Sequence, residues 1–168
     1  MRGFGDECAL PVAAGAEIGS VLIELADPGG PDARRLLQAH AEDMAVRYDG
    51  GNWAGVKVRK DLLWLARAED GEAVGCVALR VLANDLVEVK HLYVEPDARR
   101  RGVGTALMDA FEAEAARRHA AILLETGTEQ PEAIALYRGR GYRSRETYEG
   151  SDVNGDCSLY FERPARTA

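Results

Sequence analysis

Arg99-Arg100-Arg101-Gly102-Val103-Gly104 is the one dense basic run of the chain, with glycines set two residues apart inside it. Glycines let a backbone approach an anion closely, and the first N–H groups of a helix point into the space where phosphate oxygens would lie. The helix dipole and the three guanidinium groups add positive potential to the same place. Read bare, the run could equally be two glycines opening a helix beside solvated arginines. The context favours an anion site, because the run directly follows a strand-like segment and directly precedes a helical one. It is not a P-loop, lacking Gly-Lys-Ser/Thr. Nor is it a dinucleotide loop, since the third glycine and the distal acid are missing.

The elements around this loop can be read from periodicity and turn chemistry. Ser20 to Leu25 reads as a strand ending at Asp27-Pro28-Gly29-Gly30-Pro31. Asp32 is expected to cap a helix whose stripe is Leu36, Leu37, His40, Met44 and Tyr48, ending by Gly50-Gly51. Leu62 to Ala68 and Val74 to Leu82 flank the turn Glu69-Asp70-Gly71-Glu72, and Leu86 to Val94 completes an antiparallel meander stopped by Pro96. Val103, Leu107, Phe111 and Ala115 recur every fourth residue, as in an amphipathic helix. Ala121 to Leu124 is a short apolar strand of the kind buried on both faces. Pro131 and Glu132 open a further helix over Ala133 to Arg138, closing at Gly141. Val153-Asn154-Gly155-Asp156 is a hairpin turn before a last strand, Cys157 to Phe161. The order β-α-β-β-β-α-β-α-β-β predicts an α/β fold: a mostly antiparallel, mixed sheet of six to seven strands with helices on both faces. A single strand-helix-strand crossover should run from Leu86 to Leu124.

Bulk properties narrow the possibilities. With 168 residues the chain is long enough for one core and one domain, expected over residues 20–163, with a flexible N-terminal tail at 1–19 and a short C-terminal tail at 164–168. No apolar run approaches membrane-spanning length, and Asp6 and Glu7 interrupt anything resembling a secretory signal. A net charge of −7 argues against a nonspecific nucleic-acid binder. Cys8, Cys76 and Cys157 are widely spaced, without a CxxC pair or a nearby histidine, which fits reduced thiols in a cytoplasm and no metal site.

Three segments then resemble a known family. Glu88-Val-Lys-His-Leu-Tyr-Val-Glu-Pro, Arg99-Arg-Arg-Gly-Val-Gly-Thr-Ala-Leu-Met and Ala133-Ile-Ala-Leu-Tyr137-Arg-Gly-Arg-Gly141-Tyr142 look like the successive signatures of the GNAT N-acetyltransferases. The likeness covers about Val21 to Phe161 and is strongest from Val74 to Tyr142. It implies the GNAT acyl-CoA acyltransferase fold and acetyl-CoA as co-substrate. In that family the strand before the loop splays from its parallel neighbour and its backbone holds the pantetheine arm, which here implies Leu92, Tyr93 and Val94. The diphosphate would lie on Arg99, Arg100, Arg101, Gly102, Val103, Gly104 and Thr105, with Gln130 standing where many relatives carry a cofactor-binding asparagine.

The resemblance also implies two proton-handling groups. Glu88 matches a frequent position for the base that an ammonium acceptor requires, and the competing reading is an ion pair with Lys90 or a nearby arginine. Simple alternation would place Glu88, Lys90, Leu92 and Val94 on one strand face and His91 on the other. Tyr137 stands where the family places the tyrosine that protonates the departing thiolate. Glu125 is a second candidate base or acceptor contact. The first helix and its loop, Met44 to Val58, with Tyr48, Asp49 and Trp53, would receive the amine beneath a loop from Tyr148 to Gly155. The leading expectation is direct transfer of acetyl to the primary amine of a small molecule. A protein or peptide acceptor and a silent acyl-CoA-binding module are the alternatives. A monomer or homodimer is expected, without membrane or nucleic-acid partners.

Overall fold

A computed structural model describes residues 21–49, 61–149, 151 and 157–165. Strands β1 (Leu22–Leu25), β2 (Leu62–Arg67), β3 (Ala73–Ala83), β4 (Leu86–Val94), β5 (Ala121–Gly127), β6 (Arg143–Arg145) and β7 (Ser158–Arg163) form one sheet in the order β1-β2-β3-β4-β5-β7-β6. All neighbours are antiparallel except β4 and β5, joined by helix α2 (Val103–Arg117) as the right-handed crossover rule leads one to expect for parallel neighbours. Helices α1 (Pro31–Arg47) and α3 (Pro131–Gly139) complete the fold. The expected fold class and element order are observed. The proposed N-terminal tail and the turn 153–156 lie outside the described residues.

Each sheet face has its own core. On one, Ala33 and Leu36 of α1 pack on Leu63, Leu65, Cys76, Ala78 and Tyr93. On the other, the four-residue stripe Val103, Leu107, Phe111 and Ala115 packs with Tyr137 of α3 on Trp64, Val77, Val87, Leu124 and Phe161. Those four stripe residues are at most 2% exposed. At about 25 cal/mol per Å² of buried apolar surface, such packing dominates the stability of the crossover.

Two local expectations change. Gly30, not Asp32, is the N-cap of α1, with Pro31 in the first helical position and Asp32 in the first turn paired to Arg67 at 2.9 Å. Proline's fixed φ and missing N–H suit that first position, which moves the helix start upstream. More important, alternation along β4 breaks. Cys76 pairs with Tyr93 but Ala78 pairs with Lys90, so His91 and Leu92 together oppose Val77, and His91 has φ 52°. This bulge reverses the pleat. Tyr93 therefore joins the α1 face, Leu92 and Val94 pack toward the α2 and α3 face, and the His91 ring meets His40 of α1 at 5.6 Å. Glu88 and Lys90 thus do not share a face with Leu92 and Val94, and His91 turns to the α1 side.

Candidate active site

β4 and β5 pair in parallel only from Leu86 with Ala121 to Val89 with Leu124. Beyond this, Lys90–Val94 and Glu125–Gly127 diverge, leaving a wedge at the carboxyl ends of the two central strands. The bulge at His91 lies at the start of the divergence. The basic loop closes one end of this wedge, after a 3-10 turn at Pro96–Ala98.

Within the loop, Arg100 has φ 61° and Gly102, the N-cap of α2, has φ 81°. Left-handed residues inside a turn gather successive N–H groups into a concave cradle. Among the described residues, none of the N–H groups from Arg100 to Thr105 finds a protein acceptor. Such orphaned helix-start donors are what an anion satisfies. Arg100 and Arg101 are exposed and free of ion pairs among the described residues, whereas Arg99 is committed. Its Nε donates to the Val94 carbonyl at 2.9 Å, its Nη2 lies 3.3 Å from Asp43 of α1, and its guanidinium stands over the Tyr93 ring. Burial pushes the Tyr93 phenol up, partly offset by that cation. Val103 is buried and Thr105 half-buried. Gly104 faces Leu136 and Val94, which would lie 3.6 and 3.9 Å from a Cβ there.

Tyr137 projects from α3 into the core on the Leu92 and Val94 side of the sheet, edge-on to Tyr142 at 5.7 Å and tilted against Phe161. Burial pushes its phenol well up, so the proton stays on oxygen at neutral pH. Gln130 is the N-cap of α3, its N–H donating to the Gly127 carbonyl at 3.2 Å without a side-chain cap bond.

The α1 face of the wedge is different in kind. Glu88 is fully buried. Arg80 of β3, its register partner, places Nε 2.6 Å from Oε2, Lys90 places Nζ 3.2 Å from Oε1, and the Tyr148 hydroxyl donates to Oε1 at 2.6 Å. Burial, reinforced by Glu88, pushes the Tyr148 phenol up. Its ring packs edge-on to Tyr160 of β7, the register partner of Glu125, and Ser158 donates to Glu125 at 2.6 Å. The Tyr48 hydroxyl accepts the Glu129 N–H at 3.1 Å, and Arg47 donates to the Glu129 carbonyl and pairs with Glu132. The end of α1 is thereby tied to the turn leading into α3. Trp53 and most of both expected acceptor loops lie outside the described residues.

The ion pair of Glu88 with Lys90 and a nearby arginine is observed, the arginine being Arg80, which sequence reasoning did not name, just as it missed the role of Tyr148. A lone arginine in the apolar run Val74 to Leu82 was the available signal, but its meeting with Glu88 needs the hairpin register. Among the described residues there is no cluster of three metal-ligating side chains, and no helix is long and apolar enough to cross a membrane.

Comparisons agree with this fold. The IAA acetyltransferase of Azospirillum brasilense is 36% identical over 108 residues, 63% of this chain and 70% of that protein. An acyl-CoA N-acyltransferase structure from Klebsiella pneumoniae superposes with a TM-score of 0.75 at 27% identity, covering 88% of this chain and 99% of that one. A GNAT acetyltransferase of Elizabethkingia anophelis with acetyl-CoA bound, 16% identical, shares the fold at a TM-score of 0.64 over 86% of this chain and 97% of that one. The family model described as "Acetyltransferase (GNAT) family" matches residues 31–142, and with the wedge, the cradle and the crossover in place, the chain belongs to the GNAT acetyltransferases.

Proposed function

We propose that the protein transfers acetyl from acetyl-CoA directly to the primary amine of a small molecule. The observation that carries the donor assignment is the row of orphaned N–H groups from Arg100 to Thr105 at the mouth of the wedge. These donors, with Arg100 and Arg101, would hold the diphosphate. The reach of β4 near Leu92, Tyr93 and Val94, which no longer pairs with β5, would hold the pantetheine arm, with Gln130 at the far lip. When bound, acetyl-CoA supplies the activated acetyl group as a thioester.

The chain's own groups handle the protons. Tyr137 keeps its phenolic proton and is the candidate donor to the departing thiolate. Glu88 is the candidate destination for the amine proton, and Glu125 a candidate acceptor contact. Tyr48 on one side and Tyr148 on the other narrow the α1 face of the wedge, which supports a compact acceptor over a long peptide groove.

The test is a panel of amino acids, polyamines, aminoglycosides and peptides incubated with acetyl-CoA, read by free thiol and by intact mass of the products. Acetylation of small amines supports the reading, and preferential peptide modification overturns its acceptor class. Failure to bind coenzyme A in calorimetry overturns the donor assignment, and binding without turnover on any acceptor identifies a silent acyl-CoA-binding module.

A further inference from the structure

We propose that the Tyr148 hydroxyl is the group that meets the acceptor amine, accepting its N–H and passing its proton inward to Glu88. The inference rests on the amine-acetylation reading above and identifies which atom faces the amine.

Glu88 itself is inaccessible. It is fully buried, Arg80 holds Oε2 at 2.6 Å, and Lys90 and Tyr148 hold Oε1 at 3.2 and 2.6 Å. Among the described residues, an amine can communicate with this carboxylate only through one of its three donors. Two of these are cations, which repel an ammonium and have no lone pair to offer while protonated. Tyr148 is the neutral one. Because its O–H is directed at Glu88, the remaining lone pairs of the phenolic oxygen can only accept, which is what a donating amine N–H requires. The edge-on contact with Tyr160 fixes the ring, and Arg145 stacks over it at 5.5 Å, so the oxygen is held in place before an acceptor arrives.

The step balances. As the freed amine nitrogen forms its bond to the acetyl carbon, the carbon–sulfur bond breaks and its electron pair leaves on sulfur, which takes the Tyr137 proton, and the second proton lost by the acylated nitrogen restores the Tyr137 phenol. Before that attack the ammonium form of the acceptor gives one proton to the Tyr148 oxygen while the original Tyr148 proton moves to Glu88 Oε1, so the phenol ends neutral and the amine lone pair is free; an acceptor that is already neutral skips this transfer. A proton on Glu88 leaves Arg80 and Lys90 without their counter-charge, which favours its onward loss to solvent. Glu88 so placed is a way station, and Tyr148 the contact.

The test compares wild type with Tyr148→Phe on an amine from the acceptor panel and on a weakly basic acceptor of similar size, such as an O-alkyl hydroxylamine. Thiol release is followed as a function of pH, and coenzyme A affinity is measured by calorimetry. Phenylalanine keeps the ring packing and leaves Glu88 with both cations, so the melting temperature should stay within a few degrees. The expected result is a loss of about 100-fold in kcat/KM for the basic amine, a clearly smaller loss for the weakly basic acceptor, and unchanged coenzyme A affinity. Activity within twofold of wild type, or an equal loss for both acceptors, overturns the inference while leaving amine acetylation intact. A wild type that binds coenzyme A yet acetylates no amine overturns the transfer reading, and this inference with it.

Discussion

The hydroxyl of Tyr48 stands where a Cβ on Gly127 would have to be. The side chain at the end of α1 therefore occupies the space vacated by a glycine at the end of β5, and from there reaches the Glu129 N–H. Gly127 is not required for a left-handed backbone, so its substitution is a purely steric event. Gly127→Ala should expel the Tyr48 ring and cost about 1–3 kcal/mol in urea unfolding. In a Tyr48→Ala background the same change should cost less than about 0.5 kcal/mol. Additive effects in that double-mutant cycle would show that the contact does not hold α1 to the mouth of the wedge.

The three arginines of the loop should separate by function. Arg100 and Arg101 are exposed and unpaired among the described residues, so Arg100→Ala/Arg101→Ala should unfold within about 0.5 kcal/mol of wild type. Coenzyme A affinity should nevertheless fall about tenfold at low salt, with the difference shrinking at high ionic strength as screening grows. Arg99→Ala removes the bond to the Val94 carbonyl and the Asp43 contact, and should lower stability by about 1 kcal/mol even without ligand. Calorimetry at two salt concentrations, with parallel denaturation curves, checks all three statements.

Glu88 balances two cations whose side chains are only 16% and 10% exposed, Arg80 and Lys90. Glu88→Gln should therefore destabilise the fold by about 3–5 kcal/mol, because it strands two poorly solvated charges. Adding Lys90→Met should recover part of that loss by removing one of them. Equal stability of the single and double variants in urea titration would mean that solvent reaches these cations freely.

Local and periodic features were legible in the residues: the helical stripe of α2, the two hairpins of the meander and the glycines of the loop each need only neighbours in sequence. What escaped depends on register. One extra residue at His91 reverses the faces of Tyr93, Leu92 and Val94, and no composition signal marks it, since a histidine with positive φ looks in sequence like any other strand residue. Arg80 and Tyr148 reach Glu88 from positions eight and sixty residues away, so their convergence exists only once β3 is registered on β4 and the chain has returned past β6. The same bulge turns His91 toward His40 of α1, a meeting that periodicity along either element does not reveal.

One of the two, His40, makes stability depend on pH. Half-buried on α1, His40 faces the bulge, near Asp43 and Arg47 of its own helix, Arg99 beyond β4, and the His91 and Tyr93 rings. Burial lowers its pKa from 6.5 to about 4, with Asp43 opposing and the two arginines reinforcing the shift. Between these values the unfolded chain binds a proton at His40 that the folded chain does not, so stability is fully present above about pH 6.5 and is lost as pH falls toward 4. Full expression of the shift gives an upper bound of about 3 kcal/mol across that window. His40→Leu keeps an apolar group on the helix and removes the titration. Its stability difference from wild type should therefore move in the variant's favour by up to that amount between pH 7 and pH 4, measured by urea denaturation at fixed ionic strength. Parallel stability curves for the two proteins would place His40 in contact with water.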